Sequence, residues 1–212
     1  MTGNTLDTIF GKLYKTFGPQ NWWPGDSPFE VAVGAILTQN TNWANVEKAI
    51  KNLKHARALS VKALEAMPAA ELSYQIRPAG YYNVKAKRLK NLVNFLIKEY
   101  QGSMKRMAKE NLPVIRKKLL SVNGIGPETA DSIILYALEK PVFVIDSYTK
   151  RILSRHTILP YDASYETCQK LFHEKLKKDA ALFNEYHALM VRLAKDYCRP
   201  TPRCSGCPLE RI

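Results

Sequence analysis

Apolar side chains recur along the chain at helical spacing. Phe29, Val33, Ile36 and Leu37 fall at i, i+4, i+7 and i+8, and Val46, Ile50 and Leu53 follow the same rule. Leu89, Leu92, Val93 and Leu96 form another stripe, as do Ala130, Ile133, Ile134, Ala137 and Leu138. Tyr186, Leu189, Met190 and Leu193 repeat the pattern near the C-terminus. Such spacing gathers apolar groups on one side of an α-helix, so each stripe predicts a helix with one face in a core. Turn signals separate the stripes: Pro24-Gly25-Asp26, Pro78-Ala79-Gly80, Asn123-Gly124-Ile125-Gly126-Pro127 and Lys140-Pro141. Only Val142-Phe143-Val144-Ile145 reads as a strand, and it is too short and isolated to imply a sheet. With no internal repeat and no long linker, the pattern predicts an all-α fold of medium helices joined by short loops.

The 212 residues leave room for one large domain or two small lobes with a real core. Hydrophobic residues make up 46% and charged residues 24%, which excludes wholesale disorder and low-complexity architectures. No uncharged apolar run approaches the roughly 20 residues that span a bilayer. The opening MTGNTLDTIFGKLYKTFG lacks a basic-then-apolar signal pattern, which predicts an intracellular, cytoplasmic protein, nucleoid-associated if prokaryotic. Charge adds a functional clue. Lys and Arg number 32 against 19 Asp and Glu, a net +13 that suits a polyanion such as nucleic acid. A solvated basic surface is the bland alternative. An anionic membrane would also attract this charge, but neither terminus carries a strongly amphipathic basic helix.

Two segments carry candidate chemistry. In Ser121-Val122-Asn123-Gly124-Ile125-Gly126-Pro127-Glu128-Thr129-Ala130, two glycines permit unusual backbone angles and close approach of a ligand to the main chain. Pro127 suits the first turn of the helix that follows, and the free N–H groups of a helix start attract phosphate oxygens. A tight helical hairpin with no ligand is the competing reading. About twenty residues on, the apolar run 142–145 ends at Asp146, where a helix begins. Asp146 is a favoured N-cap, and a carboxylate so placed can also stabilise a developing cation or activate water. Cysteines supply the third signal. Cys168 stands alone, whereas Cys198, Cys204 and Cys207 share the last fifteen residues. Clustered thiols in an intracellular protein read as a metal site rather than disulfides.

Taken together, these motifs resemble the helix-hairpin-helix DNA glycosylases of the endonuclease III superfamily. The carriers are Gly124-Ile125-Gly126-Pro127-Glu128-Thr129-Ala130 followed by Val144-Ile145-Asp146. Ala35-Ile36-Leu37-Thr38-Gln39-Asn40-Thr41, Gly80-Tyr81-Tyr82-Asn83-Val84-Lys85-Ala86 and the cysteine tail add to them. Each motif alone is weak or moderate; their order and spacing together are specific. The resemblance implies two helical lobes. One is a helical barrel at 27–138 with the hairpin near 115–138, and the other combines 1–26 with 139–212. It implies a monomer that binds double-stranded DNA across a cleft and flips the target nucleotide out of the duplex, because a stacked base shields its glycosidic bond. Asp146 then matches the catalytic aspartate. Gly124 and Gly126 match the hairpin glycines that hold the DNA backbone, with Lys85, Asn123 and Thr129 from the same segments on DNA and a monovalent cation at the turn. Gln39 matches the side chain that fills the gap left by the flipped nucleotide.

Two departures sharpen the reading. Bifunctional relatives carry a lysine where this chain has Glu128, and a carboxylate cannot form the imine that leads to strand cleavage. A monofunctional enzyme that uses water and leaves an abasic site is therefore expected, with Glu128 near base or water, or simply an acid in a first helical turn. Asn21-Trp22-Trp23-Pro24 and Trp43 are similar to one branch, 3-methyladenine DNA glycosylase III. On that likeness Trp22, Pro24 and Trp43 line the base pocket, and Trp23 is the core residue. Aromatic faces attract the positive charge of an alkylated purine. The cysteine tail resembles the family's iron–sulfur loop, but after Cys198-x5-Cys204-x2-Cys207 the sequence stops one position before the fourth cysteine is expected, which implies either a truncated sequence or an incomplete site. A [4Fe–4S] cluster is the expectation, with zinc and metal-free packing as alternatives. A mismatch or oxidised-base glycosylase and a non-catalytic DNA-binding module are the other functional readings.

Overall fold

The computed structural model describes residues 5–210 and 212, and among them it contains helices and no strand. The segments ending at Trp23 and beginning at Lys140 form one compact unit, and Pro24–Glu139 form another.

The Pro24–Glu139 unit is built around α2 (Pro28–Leu37). Ser27 caps α2 by accepting the Glu30 N–H, and Pro28 fills the first position, where no N–H is needed. Every residue from Phe29 to Leu37 is buried, so α2 is a central helix rather than a one-faced one. Around it lie α3 (Trp43–His55), α6 (Tyr82–Tyr100) and α9 (Pro127–Ser132) with its π-helical continuation Ile133–Ala137. The short helices α4 (Val61–Ala66) and α5 (Ala69–Gln75) pack on α6. So does α7 (Met104–Ala108), and α8 (Leu112–Leu120) then leads into the glycine turn. The stripes of α3 and α6 are all buried, as their spacing predicts.

In the other unit, α1 (Thr5–Phe17) and α10 (Ser147–Arg155) both pack on α12 (Ala180–Asp196), and α11 (Tyr165–Lys175) lies between α10 and α12 in sequence. The strand-like run 142–145 is a finding against expectation in local form. Its four side chains are at most 2% exposed, yet it pairs with no strand. Its backbone is held instead by α11. His173 Nε2 accepts the Phe143 N–H at 2.9 Å, Gln169 donates to the Phe143 carbonyl at 2.7 Å, and the Tyr165 hydroxyl accepts the Ile145 N–H at 3.3 Å. Three polar side chains spaced four apart on one helix thus do the work of a neighbouring strand. Buried main-chain groups need partners, and these supply them. The result delivers Asp146 to a fixed point at the start of α10.

Candidate functional site

The hairpin comes first. Helices α8 and α9 are joined by Ser121–Gly126, and a bidentate ion pair ties them together. Arg116 Nε meets Asp131 Oδ1 at 2.8 Å and Arg116 Nη2 meets Oδ2 at 3.0 Å, with Asp131 wholly buried. The two turn glycines do different jobs. Gly124 has φ +93°, and a Cβ there would lie 2.3 Å from Arg88 Cγ. Both the backbone angle and the packing exclude a side chain. Gly126 has φ −90° and ψ 179°, ordinary extended backbone, and a Cβ there meets nothing within 4 Å. Its bareness leaves the start of α9 open. Gly124→Ala is accordingly expected to cost roughly 2 kcal/mol of stability. Gly126→Ala should stay within about 0.5 kcal/mol while weakening duplex binding. Thermal melts and fluorescence anisotropy on the two variants check this contrast.

Gln39, just past the end of α2, is fastened to this turn. Its Nε2 donates to the Gly124 carbonyl at 3.1 Å and to Thr129 Oγ1 at 2.9 Å, while its Oε1 accepts from Arg88. A role in filling a DNA gap requires Gln39 to exchange these partners for new ones. Thr129 is buried and holds Gln39. Asn123 is exposed, and its carbonyl accepts from Asn91 at 2.9 Å. The Val122 carbonyl accepts the Ile125 N–H at 3.0 Å. Three successive turn carbonyls therefore already take one donor each, and a monovalent cation would have to use their second lone pairs.

Lys85 departs from the placement expected of a DNA contact. It is 1% exposed, and its Nζ donates at 2.8 Å to the carbonyls of Leu37 and Ala79. Burial, assisted by the Arg88 charge, pushes its pKa down to about 8. A cation with a four-carbon stem can look like a phosphate ligand in sequence, but here it staples the ends of two helical segments.

The candidate aromatic residues are distributed over both units. Trp43 is half-buried at the start of α3, and its indole N–H donates to Glu47 at 2.7 Å. Pro24 and Glu128 are exposed, the latter in the first turn of α9. In the other unit, Trp22 and Trp23 are half-buried and meet edge to face at 5.7 Å. Trp23 is thus not a fully buried core residue. The Lys195 ammonium stands 5.8 Å over the Trp22 ring.

Asp146 caps α10. Its Oδ1 accepts the Thr149 N–H at 2.7 Å, and its side chain is 14% exposed. Its Oδ2 lies 3.5 Å from Nε2 of His187, a residue of α12 that the motif reading passed over. Burial presses the Asp146 pKa upward. The nearby His187 imidazole, with the Thr149 N–H, outweighs that and holds the carboxyl below its ordinary range. Asp146 is therefore ionised at neutral pH and suited to facing a developing cation.

The cysteine tail follows α12. Cys198 is buried, and Arg155 Nη1 approaches its sulfur at 3.4 Å. Cys204 is exposed, and its carbonyl accepts the Cys207 N–H at 2.9 Å. Burial pushes the Cys207 thiol up. Cys168 sits buried in α11, and that burial pushes its thiol up against the opposing charge of Lys150. Among the described residues no three His, Cys, Asp or Glu side chains are arranged to hold a metal ion. Cys198, Cys204 and Cys207 supply three of the four thiolates that a [4Fe–4S] cluster takes, and the described residues do not bring them together as a ligand set.

Comparison with known proteins adds kinship to this geometry. The family model described as HhH-GPD superfamily base excision DNA repair protein matches residues 33–178. A putative DNA repair glycosylase of Methanocaldococcus jannaschii is 45% identical over 100% of this chain and 98% of its own length. The structure of the H. pylori 3-methyladenine DNA glycosylase MagIII bound to 1,N6-ethenoadenine is similar at TM-score 0.76 and 30% identity, over 90% of this chain and 94% of that one. A non-covalent endonuclease III–DNA complex shares the fold at TM-score 0.84 and 23% identity, over 100% of this chain and 95% of that one. No helix among the described residues is long and apolar enough to cross a membrane.

Proposed function

Because the chain belongs to the HhH-GPD superfamily of base excision DNA repair proteins, we propose that it is a monofunctional DNA glycosylase for alkylated purines such as 3-methyladenine. It takes damaged double-stranded DNA, turns the target nucleotide out of the stack and hydrolyses the bond between base and sugar. The observation that carries this reading is Asp146: a carboxylate kept ionised by its neighbours at the start of a helix. As the base departs, the sugar acquires oxocarbenium character, and a fixed negative charge stabilises that state more than the ground state. The same carboxylate orients the attacking water.

Three features support the finer assignment. Glu128 stands where strand cleavage would require an amine, so the product is an abasic site. Methylation at ring nitrogen gives the purine a positive charge and weakens its glycosidic bond, so little acid assistance is needed. Trp43 offers a ring to that cation, and Glu47 on its indole N–H fixes the ring and adds a negative charge nearby. Trp22 is a poorer platform for a cation, because Lys195 already stands over its face. The cysteine tail takes no part in these steps.

The test is a panel of duplexes carrying 3-methyladenine, 7-methylguanine, hypoxanthine, uracil or an oxidised pyrimidine, with alkali-dependent and alkali-independent breaks scored separately. Release of methylated purines with breaks only after alkali is expected. Trp43→Ala should lower that release by about tenfold or more, since base–aromatic stacking contributes roughly 1–3 kcal/mol. Selective release of uracil or oxidised pyrimidines would replace the substrate assignment, and alkali-independent cleavage would replace the monofunctional one.

A further inference from the structure

We infer that His187 is a positioning residue for Asp146, fixing the direction in which the carboxylate presents its charge. The inference rests on Asp146 being the carboxylate that faces the sugar. His187 lies forty-one residues later in the chain, inside the apolar stripe of α12, where Tyr186, Leu189, Met190 and Leu193 are core residues. A polar ring in such a place needs a reason. His187 is 5% exposed, stands edge-on to Phe143 at 6.3 Å, and directs Nε2 toward Asp146 Oδ2 at 3.5 Å. Among the described residues, His187 from α12 is the charged or titratable group whose effect on Asp146 is largest; from its own helix the carboxylate meets the Thr149 N–H.

The two carboxylate oxygens are therefore divided. Oδ1 accepts the N–H at the helix start, and Oδ2 faces the imidazole Nε2, which is buried and makes no hydrogen bond to it at this distance. A carboxylate held at one oxygen alone can swing about its terminal torsion, which is broad for Asp. Held at both, once the His187 contact closes to a hydrogen bond, it keeps one plane. That matters because the charge must sit on one side of a short-lived cation, and small displacements from productive geometry are costly in rate. The 3.5 Å separation is longer than an ordinary N–H···O bond. Such contacts commonly tighten when substrate excludes water. The arrangement requires hydrogen on Nε2, which both the imidazolium and one neutral tautomer provide.

Two variants separate positioning from packing. His187→Phe keeps the ring volume and loses the N–H; His187→Gln keeps an N–H near the Nε2 position. The first readout needs no lesion: titration of the Asp146 carboxyl by carbon-13 NMR in full-length protein. Phe should raise its pKa by about one unit, a tenfold change in the protonation equilibrium, and Gln should return it most of the way. The second readout is single-turnover base release, using the best duplex of the panel, from pH 4 to 8. Phe should lower the rate on the order of tenfold with duplex affinity unchanged and move the acid limb upward, and Gln should recover to within about threefold. An unchanged Asp146 titration in His187→Phe overturns the inference, as does an unchanged rate and acid limb. Failure of the underlying assignment looks different: Asp146→Asn would then retain base release. If His187→Phe does not fold, the Gln variant decides, because packing alone predicts that Gln disrupts the apolar stripe rather than preserving the Asp146 titration.

Discussion

Asp146→Asn is expected to lower base release by at least about a thousandfold while leaving duplex binding nearly intact. The substitution is chosen because it isolates charge from structure. Asn is as good an N-cap as Asp, so its side-chain oxygen can still accept the Thr149 N–H and α10 keeps its start. What disappears is the negative charge. Groups that stabilise transition-state charge or move protons typically contribute 10²–10⁴-fold each, and here one carboxylate is asked to do both. Single-turnover excision and fluorescence anisotropy on the same duplex measure the two effects separately. Normal excision by the variant would remove the mechanism. A second readout comes from pH. Because the Asp146 pKa is depressed in the folded protein, its contribution to stability is fully present above the ordinary carboxylate range. That contribution is lost as the pH falls through the depressed value. The stability gap between wild type and Asp146→Asn should therefore be widest near neutrality and close in acid.

Much of this architecture is legible in the chain because it follows from local rules. The α3 and α6 stripes, the Asp146 cap and the turn at Gly124 all rest on spacing or on a residue's own backbone preference. Their physical causes lie within a few residues of each other. Reading weakens where partners are remote. The stripe at Ala130, Ile133, Ile134, Ala137 and Leu138 implies a one-faced helix, yet Leu135 and Tyr136 are buried as well, because the segment packs on several sides and runs on as a π-helix. Lys85 has the composition of a phosphate contact, but carbonyls contributed from residues 37 and 79 turn it inward. The run 142–145 has strand propensity in full. Its fate is decided by three side chains of α11, whose spacing of four is visible only once one knows what they face. His187 was hidden for the same reason: within α12 it reads as one more member of a buried stripe. Gly126 is the converse case. It shares a motif with Gly124, but its backbone angles are open to any residue, so its bareness concerns what approaches from outside rather than the turn itself.

Arg116→Ala should be the most damaging substitution for stability, by roughly 3 kcal/mol or more. Asp131 is wholly buried in α9, and the guanidinium of Arg116 reaches it from α8 with two near-parallel hydrogen bonds. Planar forks of this kind are among the stronger charge-assisted contacts, and Lys cannot reproduce them. Truncating the arginine takes away the positive charge facing a carboxylate that water cannot reach. The loss is a large fraction of a typical domain's ~5–15 kcal/mol, and a melting temperature lower by about 10 °C is expected for a chain of this size. The comparison that identifies the cause is the double substitution Arg116→Met with Asp131→Leu. It leaves no charge buried and should recover much of the loss, because burying an ion pair is itself expensive. If the single variant melts like wild type, the pair does not hold the hairpin. If the double variant is as unstable as the single one, shape rather than charge is what the pair supplies. Function separates these outcomes further. The turn binds Gln39 through Gly124 and Thr129, on the same hairpin that the pair clamps. An Arg116→Ala protein assayed well below its melting point should thus show weakened duplex binding, whereas its Asp146 titration, set by residues of the other unit, should not move.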